Sequence, residues 1–532
     1  MSTPRSVQTR LPHLDREIVA YCLLIGIALL LRVVFLGEKP MHHDESEDAW
    51  MAWRLFTGKG YRYDPVFHGP LRFYLISGSY WVLGVSDAAA RLAPALMGTL
   101  LVGLPYFLRR HVGKVAAFAS AILLCFSPSF LYFSRFTRED IYFACITLGL
   151  IVAVLNFLSR PRRGHPTIIL SLLALSFATK ETTFITVFVA GLFFLGVAAR
   201  QARATDGNRH SMLAAVKNLG LDAWLWGFAS FILISTLLFS SFLSNPQGLP
   251  DGVFKGIQYW LSQQPVHRGD QPWFYYLTLL SVYEWPAVLL AIVGTVAIIR
   301  LPSVAGVFLI WGFVGSLLVY SWASERFPWL VLHPLLPLLL LAGIGVQAIW
   351  EQRRGAVRAA GIVFIGLGAA NAVYAGLTAS FAHPSDPAEL LVYTQTTNQA
   401  RDLSGTLLSM DTRLHTSSGK HLSVTVDSWG GAAWPWAWYL RDLPTVGYPD
   451  LSVSAPFNSD VIIVTDQNRA RLTPQQLAGF TGYKLPLRSW WIPDHRLAQP
   501  AAFYRWLVFR EPSNPRGYFD EWVYIADPVR EK

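Results

Sequence analysis

The residues best suited to chemistry form an acidic segment directly after the first apolar stretch, residues 41–48, which read Met-His-His-Asp-Glu-Ser-Glu-Asp. Carboxylates such as those of Asp44 and Glu45 can deprotonate a nucleophile or bind a divalent metal ion. The spacing of Asp44 and Glu47 is also that of an N-cap and its N3 partner, which predicts a helix over 45–56. Asp44 therefore has two interpretations, a helix cap and a catalytic base, and both stay open at this point.

A second charged segment, residues 134–140 (Ser-Arg-Phe-Thr-Arg-Glu-Asp), separates two apolar stretches. Further ionisable residues stand at the ends of later apolar stretches: Lys180, Glu181, Glu284, Glu325, Arg326 and His333. Snorkelling of long side chains at helix ends explains one or two of these charges, but not all of them together. Ionisable groups that converge at membrane depth indicate a functional site, where Arg and Lys can stabilise a phosphate leaving group. The combination suits transfer from a phosphorylated lipid.

Composition predicts that membrane helices position these residues. Of the 532 residues, 53% are hydrophobic, 14% are aromatic and only 15% are charged, which is more apolar than a soluble enzyme requires. About eleven stretches approach the roughly 20 residues that span a bilayer core. They cover residues 18–36, 88–108, 115–134, 141–158, 166–179, 182–199, 222–243, 276–299, 303–321, 331–350 and 357–380. The net charge of +10 is distributed between helices instead of forming one basic face, so we expect no nucleic-acid partner.

The distribution of basic residues predicts the orientation in the membrane. Connectors such as residues 109–114, 160–163 and 351–354 are rich in Lys and Arg, and such connectors lie on the cytoplasmic side. The loop at residues 37–87 and everything after about residue 383 are then predicted to lie outside the cytoplasm. Both charged segments fall on this outer face, so the sequence predicts an extracytoplasmic active face.

The chain divides into two predicted domains. Residues 1–382 form the multi-pass membrane domain, and the Pro-rich stretch that begins at His383 marks the boundary. In residues 383–532, short β-branched runs at 422–426 and 460–464 predict strands, and residues 387–403 show a helical pattern. The expected fold is therefore mostly α: a polytopic helical bundle followed by a C-terminal extracytoplasmic α/β domain.

Several motifs together resemble the GT-C-type membrane glycosyltransferases, the broad group that includes protein mannosyltransferases and aminoarabinose transferases. The resemblance is carried by His43-Asp44-Glu45 in the first outer loop and by Arg138-Glu139-Asp140 in the second. Residues 61–70, 135–140 and 434–442 resemble more specifically a prokaryotic family labelled flippase-activity-associated. This similarity extends over nearly the whole chain.

The resemblance implies an inverting transferase that moves a hexose or pentose from a polyprenyl-phosphate donor to an envelope acceptor at the outer face. Asp44 matches the first-loop carboxylate taken as the catalytic base, and Glu45 is its neighbouring second candidate. Glu139 and Asp140 match the second acidic motif, which helps to bind a metal ion in the oligosaccharyltransferase branch. A divalent ion such as Mg²⁺ or Mn²⁺ is therefore a candidate cofactor, and no other cofactor is expected.

We predict that polar residues on the outer face bind the substrate: His43, His68, Arg135, Arg138, Lys180, Glu325, Arg326 and His333. Arg138 and Arg326 are expected to hold the donor phosphate, with Lys180 as a third contact. The three tryptophans within residues 434–438 suit either sugar stacking or packing against the membrane domain.

Two further classes of function stay open. A flippase, or its accessory subunit for lipid-linked sugars, would use the same charges to escort a headgroup without making a glycosidic bond. A scaffold for an envelope complex would leave the carboxylates dispensable. The expected partners are the lipid-linked donor, membrane lipids and an envelope acceptor that the sequence does not identify.

Overall fold

The structure, a computed structural model, describes residues 15–203, 212–263, 266, 269, 271–456 and 458–530. Helices dominate the first part of the chain. The earlier ones are α1 (Arg16–Val33), α2 (His43–Phe56), α3 (Leu71–Leu83), α4 (Asp87–Gly103), α5 (Arg109–Val112), α6 (Lys114–Phe126), α7 (Pro128–Ser134), α8 (Glu139–Ser159), α9 (His165–Phe177) and α10 (Thr183–Arg203). The later ones are α11 (Met212–Lys217), α12 (Leu221–Phe239), α13 (Gly248–Pro250), α14 (Gly256–Gln263), α15 (Tyr275–Tyr283), α16 (Trp285–Arg300), α17 (Val304–Trp322), α18 (Leu332–Trp350) and α19 (Gly355–Leu377).

Within the described ranges, seven helices are long and apolar enough to cross a membrane, or nine if two bent helix pairs each count as one span. The bent pairs are α6 with α7, at 58°, and α15 with α16, at 99°. The two other predicted spans correspond to α1, which contains Arg16, Glu17 and Arg32, and to the 13-residue α9. Each predicted stretch thus coincides with a helix or a bent pair, and the chain is a multi-pass membrane protein.

The centre of the bundle is α18, which packs against α6, α16 and α17. Its close approach to α16 depends on glycine. A Cβ atom at Gly345 would overlap the carbonyl oxygen of Leu290, and one at Gly294 would overlap that of Leu341. Helix α18 carries His333 in its first turn.

The C-terminal domain contains a six-stranded mixed sheet in the order β1-β5-β6-β4-β2-β3. Strand β2 pairs in parallel with β3 and β4, and the other pairs are antiparallel. The elements are β1 (Gln395–Thr396), α20 (Asn398–Ser418), β2 (Val424–Val426), α21 (Trp436–Tyr439), β3 (Val446–Gly447), β4 (Val461–Thr465), β5 (Phe480–Trp490), α22 (Pro500–Phe509), β6 (Gly517–Ala526) and α23 (Asp527–Arg530).

The predicted strands over 422–426 and 460–464 are β2 and β4, but the predicted helix over 387–403 is wrong in its bounds. The helix, α20, begins at Asn398 because the hydroxyl of Thr397 accepts the N–H of Ala400 at 3.2 Å, which caps the first turn. It ends before Gly419, whose φ of 72° suits glycine.

Tryptophans of the C-terminal domain pack against the membrane domain. Trp438 stacks on Tyr80 with ring centroids 6.2 Å apart, and its Nε1 donates to Asp87 Oδ1 at 2.7 Å. Trp434 meets Trp50 of α2 edge to face. Trp434 and Trp438 therefore pack against the membrane domain, which is one of the two interpretations of residues 434–438. Helix α2 lies between α3 and the C-terminal domain.

Candidate active site

The first turn of α2 carries the acidic segment, and its cap differs from the predicted one. His42 is the N-cap: its Nδ1 accepts the N–H of Asp44 at 3.1 Å, and Glu45 Oε2 accepts the N–H of His42 at 3.1 Å. The prediction that Asp44 caps the helix with Glu47 as its partner is therefore wrong. The carboxylate of Asp44 takes no part in capping.

The carboxylate of Asp44 instead contacts cationic and imidazole groups. Its Oδ2 lies 3.2 Å from Arg138 Nη1, and its Oδ1 lies 3.2 Å from His43 Nε2. Burial alone raises the pKa of Asp44, but His43 and Arg138 outweigh it and hold this pKa well below its ordinary value. Asp44 is therefore ionised at neutral pH.

Glu139, the first residue of α8, is fully buried at the meeting point of several positive groups. One carboxylate oxygen, Oε1, lies 3.0 Å from Lys180 Nζ, 3.3 Å from Arg138 Nη2 and 3.3 Å from His68 Nε2. The other, Oε2, lies 3.8 Å from Arg72 Nη1. Glu139 thus holds together side chains from three stretches of the chain, namely residues 68–72, Arg138 and Lys180.

Asp140 extends this cluster towards the centre of the bundle. Its Oδ1 accepts from Lys180 Nζ at 2.8 Å and lies 3.0 Å from His333 Nε2. The ring of His333 stacks on Tyr320 with centroids 4.5 Å apart. Lys180 and His333, which the sequence places far apart, therefore meet at one carboxylate.

One ion pair in this cluster, between Asp48 and Arg72, was not predicted from the sequence. Both oxygens of Asp48 accept from the guanidinium of Arg72 at 2.8 Å, and both side chains are buried. The signal that could have found it is an arginine inside the otherwise apolar α3, because a charge in such a stretch requires a partner.

The His-Gly-Pro segment at residues 68–70 docks against the turn before α10. Gly69 N–H donates to the carbonyl of Thr179 at 3.2 Å, and a Cβ atom at Gly69 would overlap the carbonyl of Ala178. This contact brings His68 Nδ1 to 2.8 Å from Glu181 Oε2. The glycine is needed for the close approach that places His68 beside Glu139.

A cavity of about 550 Å³ opens beside these groups. Five of the predicted site residues line it: His43, Asp44, His68, Arg138 and Glu325. Residues that the sequence analysis did not assign to substrate also line it: Glu47, Asp48, Val66, Phe67, Arg72, Tyr259, Gly269, Phe327, Trp329, Tyr393, Thr394 and Arg488. Arg138 lies over the face of Trp329, with its Cζ 4.8 Å from the ring centroid. The cavity therefore offers charged and aromatic surfaces together, as a sugar phosphate requires.

Glu45, the second candidate for the base, does not line this cavity. It is fully buried, and Arg91 donates to both of its oxygens at 2.8 Å. The N–H of Thr137 donates to Oε1 at 2.9 Å, and Lys39 Nζ lies 3.5 Å from Oε2. These contacts tie α2 to α4 and to the segment before α8, so the geometry favours a positioning role over proton transfer.

Arg135 and Arg326 are not brought to the cavity either. Arg135 donates to the carbonyls of Leu31, Arg32, Val34 and Phe35, at 2.7–3.2 Å, and so caps the end of α1. Arg326 donates to the carbonyls of Ser321 and Gln271, and so caps α17. Their guanidinium groups are occupied by backbone carbonyls, which disfavours the predicted contacts with substrate.

A divalent metal ion does not fit the contacts of Glu139 and Asp140, because cationic groups already surround both carboxylates. Among the described residues, His42, His43 and Asp44 have donor atoms within 4.8 Å of one another. This group does not fit either. Since His42 Nδ1 accepts the N–H of Asp44, the proton of the neutral ring sits on Nε2, which then cannot bind a metal.

The C-terminal domain contributes Arg488 of β5 to the cavity wall. Arg488 Nη2 donates to the carbonyls of Gly431 and Trp434, and the guanidinium faces Phe519 at 5.7 Å. Nothing in its local sequence distinguishes it from other arginines of the tail. Its position depends on how the sheet packs onto α2.

A pH dependence of stability is expected from Glu47. Burial beside Asp44 and Asp48 raises the pKa of Glu47 from 4.5 to about 7. The folded protein therefore binds this proton more tightly than the unfolded chain, and stability falls as the pH rises from about 4.5 through 7. We expect Glu47→Gln to match wild type near pH 4.5 and to be more stable at pH 8, by about 3 kcal/mol at 1.36 kcal/mol per pKa unit. Thermal unfolding at both pH values, with the exposed Glu511→Gln as control, tests this; an equal difference at both values would contradict it.

Residues 67–221 match the sequence model of the family described as dolichyl-phosphate-mannose-protein mannosyltransferase. The match includes His68, Arg138, Glu139, Asp140 and Lys180, and it begins after Asp44. No curated protein matches the chain in sequence.

Solved structures resemble nearly the whole chain. ArnT from Cupriavidus metallidurans bound to undecaprenyl phosphate superposes with a TM-score of 0.62 at 16% identity, over 88% of this chain and 96% of ArnT. The chain has the GT-C fold. A second protein with this GT-C fold, AglB from Archaeoglobus fulgidus in complex with an inhibitory peptide and a dolichol-phosphate, gives a TM-score of 0.55 at 11% identity, over 94% of this chain and 74% of AglB. The expectation of a GT-C-like bundle with a C-terminal sheet domain is therefore confirmed.

Proposed function

We propose that this protein is an inverting membrane glycosyltransferase that uses a polyprenyl-phosphate sugar as donor and an envelope component as acceptor. The observation that carries the proposal is the ion pair of Asp44 with Arg138 in the wall of a cavity of about 550 Å³. A carboxylate to activate an acceptor and a guanidinium to bind a phosphate stand side by side. The GT-C fold and the mannosyltransferase family match support the same class of reaction.

An apolar cavity of about 310 Å³ provides a place for the donor's isoprenoid chain. It lies among α8, α9, α10, α17 and α18, and its walls are almost entirely apolar. His333 and Tyr320 line it, and His333 also contacts Asp140. An isoprenoid chain in this cavity would therefore carry its phosphate next to Lys180 and Arg138, the positive groups around Glu139 and Asp140. The bound lipid phosphates of ArnT and AglB support this choice of donor.

In the proposed reaction, Asp44 accepts the proton of an acceptor hydroxyl while that oxygen attacks the anomeric carbon. The bond from this carbon to the phosphate oxygen breaks, and the lipid phosphate leaves with the electron pair. Arg138 and Lys180 stabilise the charge of the leaving group. A phosphate that binds Arg138 competes with Asp44 for the guanidinium, so donor binding raises the basicity of Asp44 when a base is needed.

The cations already present supply the charge stabilisation that a divalent ion would otherwise provide. Glu139 and Asp140 hold Lys180 and Arg138 in place, and we propose that no metal bound at these carboxylates is required. We also propose that the cavity and the C-terminal domain face outward, because the Lys-rich and Arg-rich connectors lie at the other ends of the helices.

The decisive experiment is donor consumption by purified protein in lipid nanodiscs. A polyprenyl-phosphate sugar and an envelope extract are supplied, and polyprenyl phosphate is measured by mass spectrometry. We expect release of polyprenyl phosphate, unchanged by excess EDTA. Translocation of intact donor across liposome membranes without any release would instead identify a flippase, and loss of release in EDTA would overturn the metal-independent mechanism.

A further inference from the structure

A second apolar cavity, of about 580 Å³, lies among α6, α16 and α19. It shares no lining residue with the active-site cavity or with the cavity proposed for the donor chain. Small residues of α19, namely Gly368, Ala369, Ala370 and Ala372, leave the space between the helices. The proposed transferase reaction does not use this cavity.

Glu284 is the charged residue in its wall, at the 99° bend between α15 and α16. It is 3% exposed. Its Oε1 accepts from the hydroxyl of Ser127 at 2.6 Å and from the N–H of Ser129 at 3.1 Å, which helps to cap α7. Among the described residues, no cation forms an ion pair with this carboxylate, and its hydrogen-bond donors are Ser127 and Ser129.

The cavity is accessible from the side of the bundle. Two of its lining residues, Ile122 of α6 and Tyr374 of α19, are 36% and 51% exposed. Both belong to helices that qualify as parts of membrane spans. A molecule dissolved in the bilayer can therefore reach Glu284 without passing through water.

We propose that this cavity binds an amphiphile with a primary ammonium group on a hydrocarbon chain. A buried carboxylate without a counter-ion is costly, and an ammonium group offers both a charge and hydrogen-bond donors to Oε2. The apolar wall suits the chain. An anionic headgroup brings no cation to the carboxyl group, and an alcohol can hydrogen-bond to it but cannot form an ion pair with it.

Photolabelling of the full-length protein in nanodiscs tests this proposal. The probe is a hexadecylamine that carries a diazirine, with the corresponding hexadecanol as a neutral probe, and labelled peptides are mapped by mass spectrometry. We expect the amine to label residues of α6 or α19 and the alcohol to label them at least about tenfold less, the factor that corresponds to 1.4 kcal/mol. Glu284→Gln, which keeps an oxygen acceptor for Ser127 and Ser129, should lower amine labelling by a similar factor.

Ala370→Phe provides a second variant, which narrows the cavity and leaves Glu284 in place, so it should also lower amine labelling. Glu351→Gln, at the far end of α18, is the matched control and should label as wild type. Amine labelling that persists in both Glu284→Gln and Ala370→Phe, or equal labelling by amine and alcohol, would overturn the proposal.

Competition by phosphatidylethanolamine identifies a membrane lipid as the ligand, whereas competition by free alkylamine alone identifies a single-chain amine. Since no sugar transfer is measured, the result is independent of the proposed transferase activity.

Discussion

Asp44→Asn is expected to lower sugar transfer by about a thousandfold, within the range that general bases contribute. The amide keeps the shape of the side chain but cannot accept the proton of an acceptor hydroxyl. Because the cap of α2 is made by His42 and Glu45, the substitution leaves the helix start intact. Release of polyprenyl phosphate by purified wild-type and variant protein measures the loss.

The same variant can be tested in cells by complementing a deletion strain and analysing its envelope glycans by mass spectrometry. We expect Asp44→Asn to lack the same sugar residue as the deletion at equal protein abundance. Asp442→Asn is a suitable control, since that carboxylate is 68% exposed and belongs to the C-terminal domain. A variant at position 44 that transfers sugar at the wild-type rate would remove Asp44 from the mechanism and leave the flippase or scaffold functions.

The two charged segments could be identified from the sequence as candidate site segments, and the helices that carry them could be predicted. Long apolar stretches identify membrane helices by composition alone, and charges next to such stretches stand out. For this reason Asp44, Arg138, Glu139 and Lys180 could be selected, and the structure brings their side chains together. These side chains come together because the helices that carry them have one end at the same membrane surface.

The partner of each charged group could not be predicted. Arg135 and Arg138 lie in one short segment, yet the first caps α1 through four carbonyls and the second lines the cavity. Which carbonyls or carboxylates an arginine meets depends on how the helices cross. Residue spacing within one segment does not contain that information.

The strands of the C-terminal sheet could also be predicted only in part. Its shorter strands β2 and β4 are β-branched and were predicted, whereas the long antiparallel pair of β5 and β6 was not. In β5, Gly482 and Pro486 interrupt the pattern, and the pairing register shifts between Pro486 and Arg488. Arg488 lines the candidate active-site cavity as a result of this tertiary pairing, which no local pattern reveals.

Arg91→Met is expected to destabilise the protein by about 3–5 kcal/mol, the cost of removing one partner from a buried ion pair. Arg91 of α4 donates to both oxygens of Glu45 and also to the carbonyls of Leu36, Lys39 and Pro40. Methionine fills a similar volume but donates no hydrogen bond, so these carbonyls lose the guanidinium and the buried carboxylate keeps only His42, Thr137 and Lys39 as partners. Unfolding in detergent, followed by intrinsic tryptophan fluorescence, measures the change.

The double variant Glu45→Met/Arg91→Met separates the two interpretations of Glu45. If Glu45 only positions α2, removing both charges should restore part of the stability lost in Arg91→Met, because the buried carboxylate that lacks its arginine is removed, and Lys39 still lies over the rings of Tyr132 and Phe136. The double variant should then retain measurable transfer per folded molecule, since Asp44 and the cap residue His42 are unchanged. A double variant that folds as well as wild type but loses transfer as completely as Asp44→Asn would assign proton transfer to Glu45. The contacts favour a positioning role for Glu45, because Glu45 does not line the cavity that Asp44 lines.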